Sequence, residues 1–471
     1  MQLVKKIRKL VSKRSTLGLV VTMMILGGAI ALFNSLNFTE DLSTDVKKIT
    51  NLLLPEMLFE KDPEIIYNRD AILNDYQNKI SEDFKIPDDL RSRVGFWFDI
   101  YTQYDNNHRV IHHSQFPWIV FKVVDVTPII NAETPRHRWM RNEKADKFVK
   151  EELAGIRKAL TAVSKMKNLK ELSEDEDSVV KALESLPGSG SVQKKAHVAL
   201  KNLRIQTGQK NFFQEGLEVS PLYLSSMEEI FKAHKVPVEL TRIPFVESSF
   251  NKQAVSKVGA SGVWQFMGNT GRSFMIVDGH IDERHSPFKA TEAAAKLLKE
   301  NHMILHQSWP LAVTAWNHGP PGVRKGIRVA GSKNLADIIA SYHSKSFDFA
   351  SSNFYSEFLA ALYAEQYQAD IFRGLNPEKS LDVQAVKLSR SVPAKKLLRI
   401  SGLTEDDFIL FNPDLKKAVR ANTAVPSGFK LMVTDSAKAG MKKVLSADKK
   451  RKTKLGQNEV SSNVSSENVN N

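Results

Sequence analysis

The sequence predicts a multidomain α+β protein that is mainly α-helical in its central region. The chain has 471 residues, which is long enough for two or three domains. Helical spacing interrupted by glycine-rich turns dominates from about 195 to 370. β-Branched and aromatic runs precede this region, and short strand and helix signals follow it. We therefore expect an α/β region before the helical domain and a small mixed unit after it.

The amino-acid composition limits which partners the protein can bind and which cysteine-dependent sites it can have. Lys and Arg total 67 against 53 acidic residues, a net charge of +14. Such a surface suits nucleic acid, anionic lipid or an acidic cell-wall polymer, and charge alone does not choose among them. The chain has no cysteine, which excludes disulfides, cysteine-zinc sites and a cysteine-linked lipid anchor.

The N-terminus predicts export. A basic head is followed by an apolar run from Leu17 to Phe33, which is typical of a signal peptide or an N-terminal membrane anchor within residues 1–40. The run favours an uncleaved anchor, and cleavage stays open. Basic residues stay cytoplasmic, so the rest of the chain is expected in the bacterial cell envelope, on the periplasmic side, either membrane-anchored or secreted. Export also argues against a nucleic-acid partner.

The first soluble region is placed at 41–190 as an accessory domain. Crowded aromatic residues and a β-branched stretch predict that 84–126 is strand-rich. A long helix is predicted after Pro135, and a Pro/Gly break follows at 187–190. The apolar side of that helix is marked by Trp139, Phe148, Leu153, Ile156 and Leu160.

Three further segments follow. Residues 195–370 are predicted to form one helical domain, and 380–435 a smaller unit. The chain then becomes Lys-rich and finally Ser/Asn-rich, so 437–471 is predicted to be a disordered basic and polar tail.

Glu247 is the first candidate for chemistry. Leu240, Ile243 and Glu247 share one helix face, although Pro244 allows the helix to begin only there. A carboxyl group on an apolar face is desolvated, which raises its pKa and keeps it protonated for general-acid work. Taken alone, the pattern favours a structural glutamate.

A glycine-rich segment after Glu247 favours a functional role for this residue over a structural one. Gly259, Gly262, Gly268 and Gly271 surround 264–267, which holds Trp, Gln, Phe and Met. Glycines let the backbone approach a ligand, and aromatic and amide side chains suit a sugar groove. The amide of Asn317 follows an apolar helix at a turn, where it is expected to line a cleft.

These residues resemble a known family. Glu247-Ser248, Gly262-Val263-Trp264-Gln265, Ala315-Trp316-Asn317 and Tyr355 are similar to the four ordered motifs of the lytic transglycosylase domain. The resemblance covers about 210–370, and the longer sequence context looks like the membrane-bound murein transglycosylase D branch. It implies a lysozyme-like fold related to goose-type lysozyme.

The resemblance implies a lyase that cleaves peptidoglycan between N-acetylmuramic acid and N-acetylglucosamine without water, leaving 1,6-anhydro ends. Glu247 would be the catalytic acid and then the base. The substrate-binding residues would be Ser248, Gln265, Phe266, Met267, Asn317 and Tyr355. The hydroxyl of Tyr355 would lie close to Glu247. Neither a cofactor nor a metal is implied.

Two departures from the family pattern matter. Trp316 replaces the usual tyrosine, so any role of that hydroxyl is lost, and activity should survive if the ring only packs. Segment 273–280 differs from the branch and is expected to reshape one groove wall.

The unit at 380–435 resembles a degenerate LysM module whose first loop is altered. Glycan binding and simple packing on the catalytic domain are both open for it.

Other readings stay open. An inactive glycan-binding or scaffolding protein would also carry these motifs, and a hydrolytic lysozyme uses the same fold. His108, His112 and His113 fit no metal-ligand spacing and are expected in a hairpin or loop. The expected partners are peptidoglycan strands and, through an uncleaved anchor, the inner membrane. We expect a monomer and no nucleic-acid partner.

Overall fold

The computed structural model describes residues 67–441. The predicted signal peptide or anchor (1–40), and all of the predicted tail beyond residue 441, lie outside the described residues. The first residues of that tail, 437–441, are helical and not disordered, because Ala437 and Met441 are buried in a hydrophobic core. Between residues 67 and 441, no helix is both long and apolar enough to cross a membrane.

The described chain is mainly helical. Its helices are α1 (Arg69–Leu73), α2 (Arg91–Thr102), α3 (Thr127–Ile130), α4 (Arg138–Lys165), α5 (Glu174–Glu184), α6 (Val192–Leu200), α7 (Lys210–Val219), α8 (Leu224–His234), α9 (Ile243–Ser248), α10 (Gly268–Arg272), α11 (Pro287–Ile304), α12 (Trp309–His318), α13 (Pro320–Ala330), α14 (Leu335–Ser341), α15 (Phe349–Gln366), α16 (Gln368–Ile371), α17 (Ala394–Ser401), α18 (Glu405–Phe411) and α19 (Lys416–Ala421). Short 3-10 turns lie at Glu82–Phe84, Asp88–Leu90, Ser220–Leu222, Val238–Arg242, Glu283–His285 and Pro413–Leu415.

The strands form three small antiparallel sheets in the described part of the chain. They are β1 (His108–His113), β2 (Val120–Asp125), β3 (Leu203–Thr207), β4 (Gln384–Lys387), β5 (Val392–Pro393), β6 (Ala424–Val425) and β7 (Lys430–Val433). The first sheet has the order β2-β1-β3, and the other two pair β4 with β7 and β5 with β6. The fold class is thus α+β and mainly helical, as predicted.

The prediction that 84–126 is strand-rich is wrong for its first half. The crowded aromatic residues form helix α2, in which Phe96, Trp97, Phe98, Ile100 and Tyr101 are all buried. A helix buried on all sides shows no amphipathic period, so the pattern is ambiguous between helix and strand. The second half does form the predicted hairpin, and β1 carries the three histidines.

Helices α4, α5 and α6 pack together over the three-stranded sheet and bury a second core with it. The predicted long helix is present as α4, and Ile156 and Leu160 are buried on its inner side. Trp139, expected on that side, is instead 64% exposed, because it lies in the first turn beyond the reach of the sheet.

Helix α15 lies at the centre of the main core. Its residues are buried on all sides, and α2, α9 and α12 each pack against it. Residues 72–101 therefore share one core with the helices of the central domain. The cores are not separated near residue 190 as the sequence suggested. The first part of the accessory region belongs to the main core, and β3 joins the sheet of the second core.

The C-terminal unit packs on the central domain. Ile281 is buried in the core of this unit, and Ile276 packs against the same core. The unusual segment 273–280 thus helps to form the contact between the two units. The packing alternative for this unit therefore has structural support, whereas its likeness to a LysM module and any glycan binding stay predictions.

A buried cation holds this interface. Lys289 Nζ lies 2.5 Å from Asp414 Oδ2 and 3.1 Å from Glu283 Oε1. Burial raises the pKa of Asp414, and the charge of Lys289 opposes that rise. The carboxylate of Asp414 has no exposed side-chain surface, so its negative charge depends on Lys289 for compensation.

Replacing Lys289 with methionine should destabilise the protein by about 3–5 kcal/mol, because a buried carboxylate loses its partner. Urea unfolding at neutral pH measures this loss. Lys296→Met is the matched control, since Lys296 pairs with Glu292 at the surface and should cost at most about 1 kcal/mol. The deficit of Lys289→Met should shrink at acid pH, where the freed carboxyl groups take up protons. Equal losses in both variants would contradict this account.

Candidate active site

Glu247 lies at the end of a short helix whose start is fixed by proline. The turn Val238–Arg242 runs into α9, and Pro244 occupies the first turn of α9, where a missing N–H costs nothing. Ser249 then adopts a left-handed conformation with a φ of 49° and ends the helix. The predicted face is present, with Leu240 and Ile243 buried below Glu247.

A buried ion cluster fixes this helix against α15. Arg242 donates two hydrogen bonds to Glu365, from Nε to Oε2 at 3.1 Å and from Nη2 to Oε1 at 3.2 Å. Its Nη1 also donates to Glu228 Oε1 at 2.5 Å. A two-pronged pair of this kind sets orientation as well as distance. It therefore fixes the start of α9, five residues before Glu247.

The carboxyl group of Glu247 is largely shielded from water. Burial raises its pKa to about 7, from an ordinary value of 4.5. A carboxylic acid with this pKa is still substantially protonated at neutral pH and can donate its proton. The side chain also keeps part of its surface exposed, so a ligand can reach it.

Trp316 contacts Glu247 directly, which sequence reasoning did not foresee. Its indole Nε1 donates a hydrogen bond of 2.8 Å to Glu247 Oε1. This bond favours the ionised carboxylate and so opposes the effect of burial on the pKa of Glu247. The hydroxyl group of the usual tyrosine is absent, as the sequence showed, but the ring of Trp316 does more than pack, because its indole N–H donates to the carboxyl group.

A second carboxyl group faces the site. Glu357 is half-buried on α15, which packs against α9. Burial and then the charge of Glu247 raise the pKa of Glu357 to about 8, while Arg204 on β3 acts in the opposite direction. Two like charges in one desolvated site resist joint ionisation. Near neutral pH, Glu357 therefore holds its proton more firmly than Glu247.

Tyr101 on α2 brings a hydroxyl group close to both carboxyl groups. Burial, then the charge of Glu357 and then that of Glu247 raise the pKa of Tyr101 well above its ordinary value. The phenol therefore stays protonated and can only lose its proton at extreme pH. A residue from the predicted accessory region thus belongs to the electrostatic surroundings of Glu247.

The glycine-rich segment forms a tight loop beside α9. Gly262 has a φ of 78°, and a Cβ atom there would lie 1.9 Å from the carbonyl oxygen of Arg284. Only glycine fits this close approach. Ser248 Oγ donates to Val263 O at 2.8 Å and connects the loop to α9. Gln265 Nε2 donates to the carbonyl oxygens of Gly262 and Ala254, at 2.8 and 3.1 Å.

Two aromatic residues of this segment pack inside the protein and do not line a groove. Trp264 is fully buried, stacks on Phe231 and donates from Nε1 to Thr291 Oγ1 at 2.9 Å. Phe266 is 2% exposed and packs edge-to-face against Trp316. The predicted contact of Phe266 with substrate is therefore not supported, because its ring is enclosed. Met267 differs, with 43% of its surface exposed.

The predicted binding residues Asn317 and Tyr355 also differ in exposure. Asn317 is exposed at the end of α12, and its Oδ1 accepts a hydrogen bond of 2.7 Å from Ser351 Oγ, which leaves the amide N–H groups free to donate to a ligand. Tyr355 is buried, and the charges that act on its hydroxyl group come from Tyr363 and Asp83. The structure thus places the hydroxyl of Tyr101, not that of Tyr355, in the field of Glu247. Binding roles of the predicted residues stay predictions.

Sequence reasoning missed Trp316 as a donor, Glu357 and Tyr101. Glu357 carries a signal in retrospect, since it is one of two acidic residues in an otherwise largely apolar helix that is buried on all sides. Tyr101 carries none, because only the packing of α2 on α15 brings it near. Within residues 67–441, no cluster of three or more His, Cys, Asp or Glu side chains could hold a metal ion.

The site can donate and accept a proton through one desolvated carboxyl group, and comparison with known proteins finds a family match over the same part of the chain. Residues 227–339 match the family model described as the Transglycosylase SLT domain. The chain therefore carries a transglycosylase SLT domain over this part of its length. Glu247, Gln265, Trp316 and Asn317 lie inside the matched range, whereas Tyr101 and Glu357 lie outside it.

Individual relatives match different shares of the chain. It is 33% identical over 98 residues to the membrane-bound lytic murein transglycosylase D of Escherichia coli strain K12, which is 21% of this chain and 22% of that protein. Thus the chain spans about a fifth of the length of this relative. A crystal structure of the 70 kDa soluble lytic transglycosylase of Escherichia coli matches 53% of this chain and 39% of its own, at 15% identity and a TM-score of 0.27.

Replacing Trp316 with phenylalanine should raise the pKa of Glu247 from about 7 to about 8 or higher. The ionised carboxylate loses a hydrogen bond worth about 1.5–3 kcal/mol, and 1.4 kcal/mol corresponds to one pH unit. An NMR titration of the Glu247 carboxyl group measures the change. Phe266→Leu is the control, because it alters packing against the same indole ring and leaves the donor in place. An unchanged pKa in Trp316→Phe would show that the N–H does not stabilise the ionised form.

Proposed function

We propose that this protein is a peptidoglycan lytic transglycosylase with Glu247 as its catalytic acid and base. The observation that carries the proposal is a single desolvated carboxyl group, with a pKa of about 7 and an indole donor at 2.8 Å, inside a transglycosylase SLT domain. Such a group is protonated often enough to act as an acid and ionised often enough to act as a base.

The reaction follows from these two states. Protonated Glu247 gives its proton to the glycosidic oxygen between N-acetylmuramic acid and N-acetylglucosamine, and the C1–O bond breaks. The carboxylate that remains, stabilised by the Trp316 N–H, takes the proton of the sugar's own C6 hydroxyl. The C6 oxygen then forms the bond to C1. The product is a 1,6-anhydro end, no water is consumed, and Glu247 recovers its proton.

Asn317, Met267 and Gln265 are proposed to contact the glycan. Asn317 and Met267 are exposed and directly follow Trp316 and Phe266, and Trp316 bonds Glu247. The amide of Asn317 can donate to sugar hydroxyls. Gln265 is half-buried and its amide nitrogen is committed to the backbone, so only its oxygen is left to a ligand. Ser248 is proposed to orient Glu247 through the backbone of Val263.

Hydrolysis is the second candidate, because Glu357 supplies a second carboxyl group. Ordinary glycosidases use one carboxylic acid and one ionised carboxylate, the latter activating water or attacking the sugar. Burial and then the charge of Glu247 raise the pKa of Glu357, which favours the protonated form of Glu357 beside an ionised Glu247. A protonated carboxyl group cannot serve as the base. The intramolecular route, which needs one carboxyl group, is therefore favoured.

The cellular setting is also a proposal. The basic and apolar N-terminus supports export into the bacterial cell envelope, with the inner membrane as a contact if the anchor stays uncleaved. The domains are proposed as an N-terminal region, an SLT domain and a C-terminal unit, with the first packed into the same core as the second. A monomer acting on peptidoglycan strands is the simplest assembly.

Digestion of purified sacculi, followed by mass spectrometry of the soluble muropeptides, should give products with 1,6-anhydro ends. Glu247→Gln removes the acid and should lower the yield by at least about a hundredfold, the size of a general-acid contribution. Glu239→Gln is the matched control, since Glu239 lies in the preceding turn and is not part of the site. Reducing-end products would instead establish a lysozyme.

The Glu357→Gln variant separates the two routes further. Loss of all products in this variant, together with reducing ends in the parent protein, would assign Glu357 as the hydrolytic base. A protein that sediments with sacculi and releases no soluble product under varied pH and salt would be a glycan-binding scaffold.

Cleavage should decline as the pH rises through about 7, because the acid form of Glu247 is then lost. Measuring kcat/KM against pH on soluble glycan strands tests this. Trp316→Phe should move the decline to higher pH, in step with the raised pKa, whereas Glu357→Gln should leave the decline in place. A profile that is flat between pH 6 and 9 would rule out Glu247 protonation as the controlling step.

A further inference from the structure

A cavity of about 440 Å³ lies beside the candidate active site. It opens between the start of α2, the turn at 114–118, the end of α14 and the start of α15. Several aromatic rings line it, and one of its polar groups is a guanidinium. The principal lining residues are Arg93, Trp118, Tyr342, Phe347, Phe349 and Ser352. A volume of this size suits a small amphipathic ligand.

Arg93 is the unusual group in this cavity. Its residue surface is only 5% exposed. Nη1 donates to Asn353 Oδ1 and Nη2 donates to the carbonyl oxygen of Gln115, both at 2.8 Å. The guanidinium also lies 5.4 Å from the centre of the Trp118 ring. All three partners are neutral, so they hold the side chain in place without compensating its charge.

The charge of Arg93 is left uncompensated within residues 67–441, where it forms no ion pair. Burial lowers the pKa of Arg93 to about 10. Asp89 and Asp348 also line the cavity, but neither forms an ion pair with Arg93, and Asp89 accepts a hydrogen bond from Asn334. Burying a guanidinium without a carboxylate is costly, and a ligand carboxylate would remove that cost.

Residues next to the cavity contact the end of α12, where Asn317 lies. Phe349 and Ser352 line it at the start of α15, and Ser351 between them donates to Asn317. His318, which follows Asn317, packs edge-to-face on Phe347 with ring centres 5.0 Å apart. A ligand group in the cavity would thus lie next to the end of α12, where the glycan is proposed to bind.

We propose that this cavity binds a carboxylate-bearing group of one or two amino acids, through Arg93, on the peptide that branches from the glycan substrate. The cationic donor takes the carboxylate, and the aromatic walls cover the aliphatic part of the residue. The identity of the ligand rests on the proposed function, because peptidoglycan carries its carboxylates mainly on such peptides. A free small carboxylate has the same chemistry and is distinguished by the test.

The test compares two soluble ligands by calorimetry: a disaccharide tetrapeptide and the same disaccharide without peptide. The full-length protein carries Glu247→Gln, so that neither ligand is consumed. The peptide-bearing ligand should bind about 10- to 100-fold tighter, the ratio expected for a charge-assisted hydrogen bond. Adding Arg93→Gln should abolish the difference. Arg91→Gln is the matched control, because Arg91 is on the same helix, bonds Asn74 and does not line the cavity.

A second variant guards against loss of folding in Arg93→Gln. Ser352→Phe fills the cavity and keeps the guanidinium, and it should abolish the same difference in affinity. Equal affinities for the two ligands in the parent protein would overturn the proposal. So would tight binding of free D-alanyl-D-alanine with no preference for the peptide-bearing sugar. Neither result touches the proposed function, because cleavage of peptide-free strands to 1,6-anhydro ends is measured separately in protein with intact Glu247.

Discussion

The active site depends on the burial of helix α15 on all its sides. Most of its eighteen residues are buried, so every neighbouring helix must present a complementary apolar face to it. The helices α2, α9 and α12 do so, and each brings one functional side chain to the same place: Tyr101, Glu247 and Trp316. The two-pronged contact of Arg242 with Glu365 then fixes the rotation of α9 on this support.

Burial and hydrogen bonding act against each other on Glu247. Desolvation alone would hold the proton of Glu247 too firmly for the base step that we propose for this group. The indole N–H of Trp316 stabilises the ionised form and brings the pKa back to about 7. Trp264 and Phe266, which belong to the loop around Gly262, pack against the indole ring of Trp316 and hold it in position. Aromatic residues that resemble a sugar platform in the sequence therefore serve to aim one donor at one carboxylate.

The parts of this arrangement that sequence could predict are those that local pattern encodes. The start of α9 at Pro244, the exposed amide of Asn317, the hairpin and the long helix α4 all follow from spacing and capping residues. Helix α2 was mistaken for strand because a segment buried on all sides carries no period. Tyr101 and Glu357 lie 146 residues before and 110 residues after Glu247, and only tertiary packing brings them near it. Trp316 was identified as a departure, but whether its ring packs or donates depends on an orientation that no pattern encodes.

The distribution of these residues changes how the domain should be delimited. The segment that matches the family, 227–339, holds Glu247, the proposed catalytic residue, and its donor Trp316. Glu357 and Tyr101, which share its electrostatic surroundings, lie beyond that segment on either side. The region before residue 105 cannot be an independent appendage, because α2 packs along α15 and Arg93 bonds Asn353 on the same helix. Removing it would expose α15 and take away both the tyrosine beside the carboxyl groups and the one guanidinium that we propose recognises the substrate peptide. The functional unit is therefore the shared core of both regions, and the family segment is only the part of it that local sequence makes visible.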